Sequence, residues 1–553
     1  MEDKNLKLAQ LLFPDITKLP QDMENEFPPR ELEEGAKVTR IAPSPTGFVH
    51  FGNLFPAMVS ERLASQSGGV FILRIEDTDS QRKVEGAVET IINSFAHYGL
   101  IFDEGATADG DSGNYGPYSQ SQRAHIYHVF AKDLVIRGLA YPCFYTKDEL
   151  SVLREKQEKL KVLPGVYGEW SKYRDADYDT VKQLIDSGVP YVLRLRSPGK
   201  VGGRIKFTDV IKGNLELDEN YVDQVLLKSD GIPTYHFAHA VDDHLMRVTH
   251  VIRGEEWLPS LPLHIQLFNL LGFKLPKYLH ISLLMKQDGT AKRKLSKRHD
   301  PEAALTYYRE KGYPVKAVRE YVMTLLNSNY EEWRMQNPLK PLDDFKFTTA
   351  KMAHSGSLFD LDKLDDVSKN AISTMTATEV TDEVISWAKD FDNELYTLLS
   401  SDTDYAKRIF EIGRNDAKPR KDLAKWSDVK DYVDLFFDSL YSIKDQFPEN
   451  VSKEDTLEIL NRYKNIYSSD DDSQQWFERL KTIAEDMGYA QKPKDYKKEP
   501  DKYKGHVGDI SMVLRVAVTG KTKSPDLYSI MQIIGTDKVM QRLDSAIKYV
   551  EER

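Results

Sequence analysis

A chain of 553 residues exceeds what a single hydrophobic core supports, so several domains are expected. Charged residues make up 29% and hydrophobic residues 40%, and no apolar run reaches the roughly 18 residues a bilayer span needs, which excludes a helical membrane protein. The net charge of -11 argues against a protein that coats nucleic acid indiscriminately, and a single cysteine, Cys143, excludes a disulfide framework or a multi-cysteine zinc site.

Residues 1–37 are acidic, contain proline and lack an apolar signal-peptide core, so they read as the N-terminal extension of a cytoplasmic protein. Arg40 to Asn53 (RIAPSPTGFVHFGN) then joins a short strand at Val38, Arg40 and Ile41 to a helix over Leu54 to Leu63. Between them Pro43 and Pro45 delay the helix, while Gly47 and Gly52 allow a sharp turn and close approach. A helix opening at His50 to Asn53 would aim its unpaired N–H groups and the positive end of its dipole at an anion. Taken alone, the stretch reads equally well as an ordinary strand-to-helix connection.

Val70 to Ile75 is a nearly continuous apolar run that delivers Glu76-Asp77-Thr78-Asp79 at its C-terminal end. Strand, helix and strand make a βαβ unit, whose ligands sit beyond the carboxyl ends of the strands. Neither G-x-G-x-x-G nor a P-loop is present. A helix is predicted over 83–98, a polar loop over 103–117 and a helix over 120–137. Strands at 191–196 and 225–228 then suggest an α+β insertion. GIPTYHFAHAVDDHLMRVTHVIRGEEWL, from Gly231, has a density of His, Asp, Arg and Glu that is costly to bury unless paired or functional. In LHISLLMKQDGTAKRKLSKRHD an apolar strand runs into a loop holding Lys292, Arg293, Lys294, Lys297 and Arg298, which by charge alone reads as a solvated face. From about 365 onward the spacing is helical. The exceptions are a Lys/Tyr-rich connector at 491–505, suited to phosphate contact and stacking or to a plain linker, and the 506–520 segment before the final helices.

HFGN at 50–53, the carboxylate-tipped strand at Glu76 and KLSKR at 294–298 are each weak signals. Together they resemble the HIGH and KMSKS signatures of a class I aminoacyl-tRNA synthetase. RIAPSPTGFVHFGN, RIEDTD, GIPTYHFAHAVDDHLMRVTHVIRGEEWL and the closing HVGDISMVLRVAVTGKTKSPDLYSIMQIIG narrow the resemblance to the bacterial glutamyl-tRNA synthetase family. It implies a multidomain α/β plus all-α protein with a Rossmann-like parallel-sheet catalytic domain in two halves, 38–117 and 231–275. An α+β acceptor-stem-binding insertion occupies 118–230, a stem-contact region carrying the KLSKR loop 276–364, and a helical anticodon-binding region 365–553.

The implied activity is formation of glutamyl-adenylate from glutamate and ATP, with magnesium on the nucleotide, then transfer to tRNA(Glu) by a monomer. Charging of tRNA(Gln) is left open, and no membrane partner or zinc is expected. By the same resemblance His50, Gly52, Asn53, Lys294 and Lys297 are the catalytic set. Glu256, Leu284, Leu295, Ser296 and Arg298 join them around ATP. Arg40, Ala42, Ser44, Glu76, Tyr235, His239 and Arg253 surround glutamate. Two guanidiniums suit its two carboxylates and Glu76 suits its ammonium, with Arg40 and Tyr235 favoured for the side-chain carboxylate. Asp242, Asp243 and Trp257 are as well read as structural. Three departures stand out: Asn53 replaces the second histidine of HIGH, His239 stands where relatives often carry Asn, and Lys161 to Arg174 and the N-terminal extension match poorly. Glutaminyl-tRNA synthetase and a catalytically silent tRNA-binding module are the competing readings.

Overall fold

The computed structural model describes residues 2–45, 49–79, 84–296 and 299–552. Gly47 of the opening turn, and Lys297 and Arg298 of the basic signature, lie outside them. The chain forms two compact units. One comprises the residues up to Tyr307 with Val322–Asp360, and the other Tyr308–Tyr321 with Leu361–Arg553. The short stretch from Tyr308 to Tyr321, inside the 276–364 segment, thus groups with the helical unit.

In the first unit the N-terminal extension forms helices α1 (Glu2–Leu12) and α2 (Pro20–Glu26). The βαβ unit follows as β1 (Val38–Ile41), α3 (Phe51–Ser65) and β2 (Val70–Leu73), then α4 (Ala87–His97). The 103–117 stretch, expected as a loop, contains an antiparallel hairpin, β3 (Glu104–Thr107) with β4 (Gly110–Ser112), turned at Ala108-Asp109. Helix α5 (Ala124–Ile136) leads into the insertion: β5 (Ala140–Cys143), α6 (Lys147–Lys159), α7 (Tyr178–Asp186), β6 (Val192–Leu195), β7 (Arg204–Asp209), β8 (Gly213–Asp218) and β9 (Val225–Leu227). Cys143 is buried in β5. The chain then returns through α8 (Tyr235–Leu245), β10 (His250–Gly254), α9 (Leu261–Leu271) and β11 (Lys277–Ile281).

Strands β1, β2 and β3 are parallel neighbours, as are β10 and β11. The two sets meet where the Thr249 N–H donates to Val38 O and the Val38 N–H to Thr249 Oγ1, both at 2.9 Å. β1 therefore lies between β2 and β10, and the order of the strands reverses between β1 and β10. That reversal is the topological switch point at which open α/β sheets bind ligands. Helix α3 covers it with buried Phe51, Leu54, Met58 and Val59.

The KLSKR approach, read as a loop, is a hairpin of β12 (Leu284–Asp288) and β13 (Ala291–Lys294), with β14 (Ser357–Phe359) on its other edge. Gly289-Thr290 makes the turn between the paired Asp288 and Ala291, with Gly289 at φ +58°, so Lys292 and Arg293 are strand residues.

The second unit is helical around a core that includes Val380, Leu395, Ile409, Phe436, Leu460, Leu480, Leu514 and Val539. Its 491–505 connector contains a short α-helix, Pro493–Lys498, and a 3-10 turn, Pro500–Lys502. Among the described residues no helix is long and apolar enough to cross a membrane.

Candidate functional site

A cleft of about 640 Å³ opens at the carboxyl ends of β1, β2, β10 and β11. β1 contributes Arg40 and is followed at once by Ala42, Glu76 stands three residues beyond the end of β2, and β10 contributes Arg253. The start of α8 adds Tyr235. His50, Gly52 and Asn53 come from the opening of α3, and Glu256, Leu284, Lys294, Leu295 and Ser296 close the other side. Two expected residues are elsewhere. Ser44 is exposed and off the wall, and His239 lies fully buried one helical turn behind Tyr235.

Arg40 is only 4% exposed and donates from Nε to both oxygens of Asp243, at 3.3 and 3.2 Å. Asp243 also accepts from Arg74 and lies 3.0 Å from His239 Nδ1. Burial works against its charge, yet Arg40 and Arg74 hold its carboxyl well below the usual range. With Asp243 on Nε and His239 Nδ1 3.5 Å from Nη2, Arg40 is fixed from behind while it lines the cleft. The neighbouring Asp242 faces another way, accepting from Arg123 Nε (2.7 Å), Tyr127 OH (2.8 Å) and Gln120 (2.9 Å), so it fastens α8 to α5. The Glu76 side chain is 9% exposed and accepts from Arg74 at 3.2 Å. Burial pushes its carboxyl up to about 7 against the pull of Arg74 and Arg40. Tyr235, raised to about 12 by burial, stays a neutral phenol that packs 4.7 Å from the Trp257 ring.

Arg253 is held differently. Its Nε donates to His280 Nε2 and its Nη1 pairs with His264 Nδ1, each at 2.9 Å, and the Tyr278 ring lies 4.8 Å beneath. His280 faces Arg253 because the two are register partners across β10 and β11, and Tyr278 follows on the same face two residues away. Tyr278 OH in turn meets His239 Nε2 at 2.9 Å. Sequence patterning had pointed to neither His264 nor His280. The available signal was alternation in Lys277–Ile281, which places the polar Tyr278 and His280 on one face of a buried strand.

On the opposite wall α3 opens with a reciprocal cap. The Gly52 N–H donates to His50 Nδ1 (2.8 Å), and the His50 N–H donates to Asn53 Oδ1 (3.1 Å). Asn53, the departure from HIGH, is thus the residue that closes the cap. Because Nδ1 accepts, the ring proton sits on Nε2. A Cβ on Gly52 would lie 2.9 Å from His50 Nδ1. Gly52→Ala should therefore displace the imidazole without unfolding the helix, since alanine is the better helix former. The expected result is an unchanged or higher melting temperature with kcat/KM for ATP down about tenfold, measured by scanning calorimetry and pyrophosphate exchange with tRNA present.

The Lys294 side chain is 56% exposed and lies 3.9 Å from Glu256, a weak tether. The base of its hairpin is firm. Asp300 accepts from Arg293 Nη1 (2.6 Å), Arg293 Nη2 (2.7 Å) and the Ser296 N–H (2.9 Å), and these partners keep its carboxyl far below the usual range. Arg293 is therefore committed to structure, whereas Lys294 is presented to the cleft. Among the described residues no group of three or more His, Cys, Asp or Glu is placed to hold a metal ion.

Comparison with known proteins adds an independent line. Residues 37–366 match the family described as tRNA synthetases class I (E and Q), catalytic domain, and residues 379–547 match an anticodon binding domain. The glutamate–tRNA ligase of Acetivibrio thermocellus is 53% identical over 538 residues, covering 97% of this chain and 98% of that protein. That of Clostridium beijerinckii is 50% identical, again covering 97% and 98%. Coverage of 97% leaves about 17 of 553 residues unmatched, fewer than the extension contains, so part of the extension is common to these relatives. Among solved structures, a glutamate tRNA ligase from Elizabethkingia meningosepticum in complex with its amino acid aligns with a TM-score of 0.74 at 28% identity, covering 93% of this chain and 99% of that one. Matches of this extent, over both regions of the sequence, mean that the chain belongs to the glutamate–tRNA ligase family of class I tRNA synthetases.

Proposed function

We infer that this protein ligates glutamate to tRNA(Glu), activating the amino acid with ATP and acting as a monomer. One observation carries the choice of amino acid. Around the cleft four guanidiniums, Arg40, Arg74, Arg123 and Arg253, are set against three carboxylates, Asp242, Asp243 and Glu76, and Arg253 ion-pairs with none of these, which leaves one positive charge uncompensated. Glutamate, with two carboxylates and one ammonium, carries one net negative charge. Glutamine carries none and would leave that charge buried and unpaired.

In this reading Arg40 and Tyr235 hold the side-chain carboxylate, Arg253 the α-carboxylate and Glu76 the ammonium, with Ala42 lining the wall beside them. Ser44 and His239 belong to the same set by resemblance. His239 would act from behind the wall, through Asp243 and Tyr278. The α-carboxylate oxygen attacks the α-phosphorus of ATP and pyrophosphate leaves. A hydroxyl of the terminal tRNA ribose then attacks the acyl carbon, and AMP leaves. Charge gathers on the phosphates in the first step, so positioning and electrostatics supply most of the catalysis. The α3 N-terminus with His50, Gly52 and Asn53 receives the phosphates from one side and Lys294 from the other; the resemblance alone assigns Lys297 to the same task. Glu256, Leu284, Leu295 and Ser296 frame the nucleotide, a set to which the resemblance alone adds Arg298. ATP enters as its magnesium complex, the ion held chiefly by the phosphates themselves.

The test is pyrophosphate exchange into ATP with glutamate or glutamine, each with and without tRNA, followed by charging of tRNA(Glu) and tRNA(Gln). Exchange with glutamate, dependent on tRNA, is the expected result. Robust exchange with glutamine alone would overturn the choice of substrate, and no exchange under any condition would identify a silent tRNA-binding module.

A further inference from the structure

The two cleft arginines are held by opposite means. Arg40 is partnered by a carboxylate, Asp243. Arg253 is 5% exposed, yet no carboxylate of the described residues makes an ion pair with it. Its partners are His280 Nε2, His264 Nδ1 and, at 3.5 Å, the carbonyl of Trp257. A guanidinium only donates, so both imidazole nitrogens must accept through lone pairs. The rest of the network fixes that state. His280 has Asp209 at 2.7 Å from its Nδ1, which places the ring proton there. His264 Nε2 meets His236 Nδ1 at 2.9 Å, which places the His264 proton on Nε2. Burial and the charge of Arg253 further hold His236 and His264 neutral.

A carboxylate in either imidazole's place would bind Arg253 more strongly, but it would also cancel the charge. We propose that His264 and His280 are positioning residues for amino-acid binding: they orient Arg253 through neutral acceptors so that its whole positive charge remains for a carboxylate of the substrate. This rests on the reading of Arg253 as a glutamate ligand. The cradle spans three elements, since Arg253 lies on β10, His280 on β11 and His264 on α9. It extends to Asp209 at the end of β7 and to His236 in α8. An arginine ordinarily buries with an anion; here the anion is the ligand.

The test separates charge from geometry. His264→Asn supplies a neutral acceptor near the Nδ1 position, and His264→Asp supplies a charged one that would pair with Arg253. Aminoacylation of tRNA is measured for wild type and both variants, with KM determined separately for glutamate and ATP and folding checked by thermal melting. The expected result is a glutamate KM raised about tenfold or more in His264→Asp and at most a few-fold in His264→Asn, with the ATP KM within about threefold in both. A purely structural hydrogen bond would be preserved or strengthened by aspartate. A glutamate KM in His264→Asp within threefold of wild type, or an equal rise in both variants, would therefore overturn the proposal. Should the aspartate variant fail to fold, His280→Gln against His280→Leu decides. The proposal requires the leucine variant to raise the glutamate KM alone, and equal changes in both KM values would sink it. Wild-type charging in the same assay separates failure of the cradle from failure of the underlying reading.

Discussion

Arg40→Ala is expected to lower kcat/KM for glutamate by roughly 30- to 1000-fold, the equivalent of about 2 to 4 kcal/mol for a charge-assisted, bidentate contact in a buried site. The geometry explains why the loss falls on the substrate more than on the fold. Asp243, the structural partner of Arg40, retains Arg74 and His239, so its carboxylate is not stranded. Arg40→Lys should recover little, because a lysine cannot both contact Asp243 and present a fork to the cleft. Discrimination against glutamine should collapse as well, since the contact removed is one that only the acid makes fully. Steady-state aminoacylation with both amino acids measures both effects. An unchanged kcat/KM for glutamate would take Arg40 out of the site.

Glu76→Gln is expected to trade activity for stability. In the folded protein the Glu76 carboxyl is raised to about 7 from an ordinary 4.5, with burial the largest cause. Between those values the native state holds a proton that the unfolded chain releases, so stability falls as pH rises through this window, and the full cost is present above pH 7. A shift of this size corresponds to about 3 kcal/mol at most. Removing the ionisable group relieves that cost, while Arg74 keeps Asp243. The variant should thus melt higher than wild type at pH 8 and no higher at pH 4.5. Its glutamate KM should rise about 30-fold or more, because an amide cannot pair with the ammonium. The same group makes the wild-type glutamate KM rise as pH falls below 7. Equal melting curves at pH 8, with glutamate KM unaltered, would contradict both halves of the argument.

The parts of the molecule legible in the sequence were those written locally. Val38 to Ile41, the proline-rich turn and the helix beyond it announced themselves by spacing and punctuation. Glu76 stood out as a carboxylate at the end of an apolar strand. Two hairpins were missed because charge and glycine content masked their alternation: TADGDS around Asp109 and MKQDGTAKRK around Gly289. The extension offered no motif, and its helices are held by distant partners, such as Glu24 with His244 and Arg247, or Asn5 with the Ile136 carbonyl. The Arg253 cradle was illegible for a related reason. His264 and His280 come within reach only through the pairing of β10 with β11 and the packing of α9, and no spacing in the chain encodes that encounter. His239 shows the opposite failure. It lies four residues from Tyr235 on α8, yet one ring meets the cleft and the other is sealed behind it.

The junction of β1 with β10 also bears on how the molecule is made. Its hydrogen bonds close a loop of 211 residues, the Arg40–Asp243 pair one of 203, and the Arg30 bond to the Met246 carbonyl one of 216. Contacts so remote are slow to form, because chain entropy must be surrendered before they reward it. During synthesis β1 emerges long before its neighbour and waits as an open edge, with the whole insertion still to come. The cleft therefore has no existence in either half of the sheet. It needs residues near 250 beside residues near 40, so a nascent chain interrupted before that point carries every signature of the opening turn and lacks the Arg253 side of the cleft.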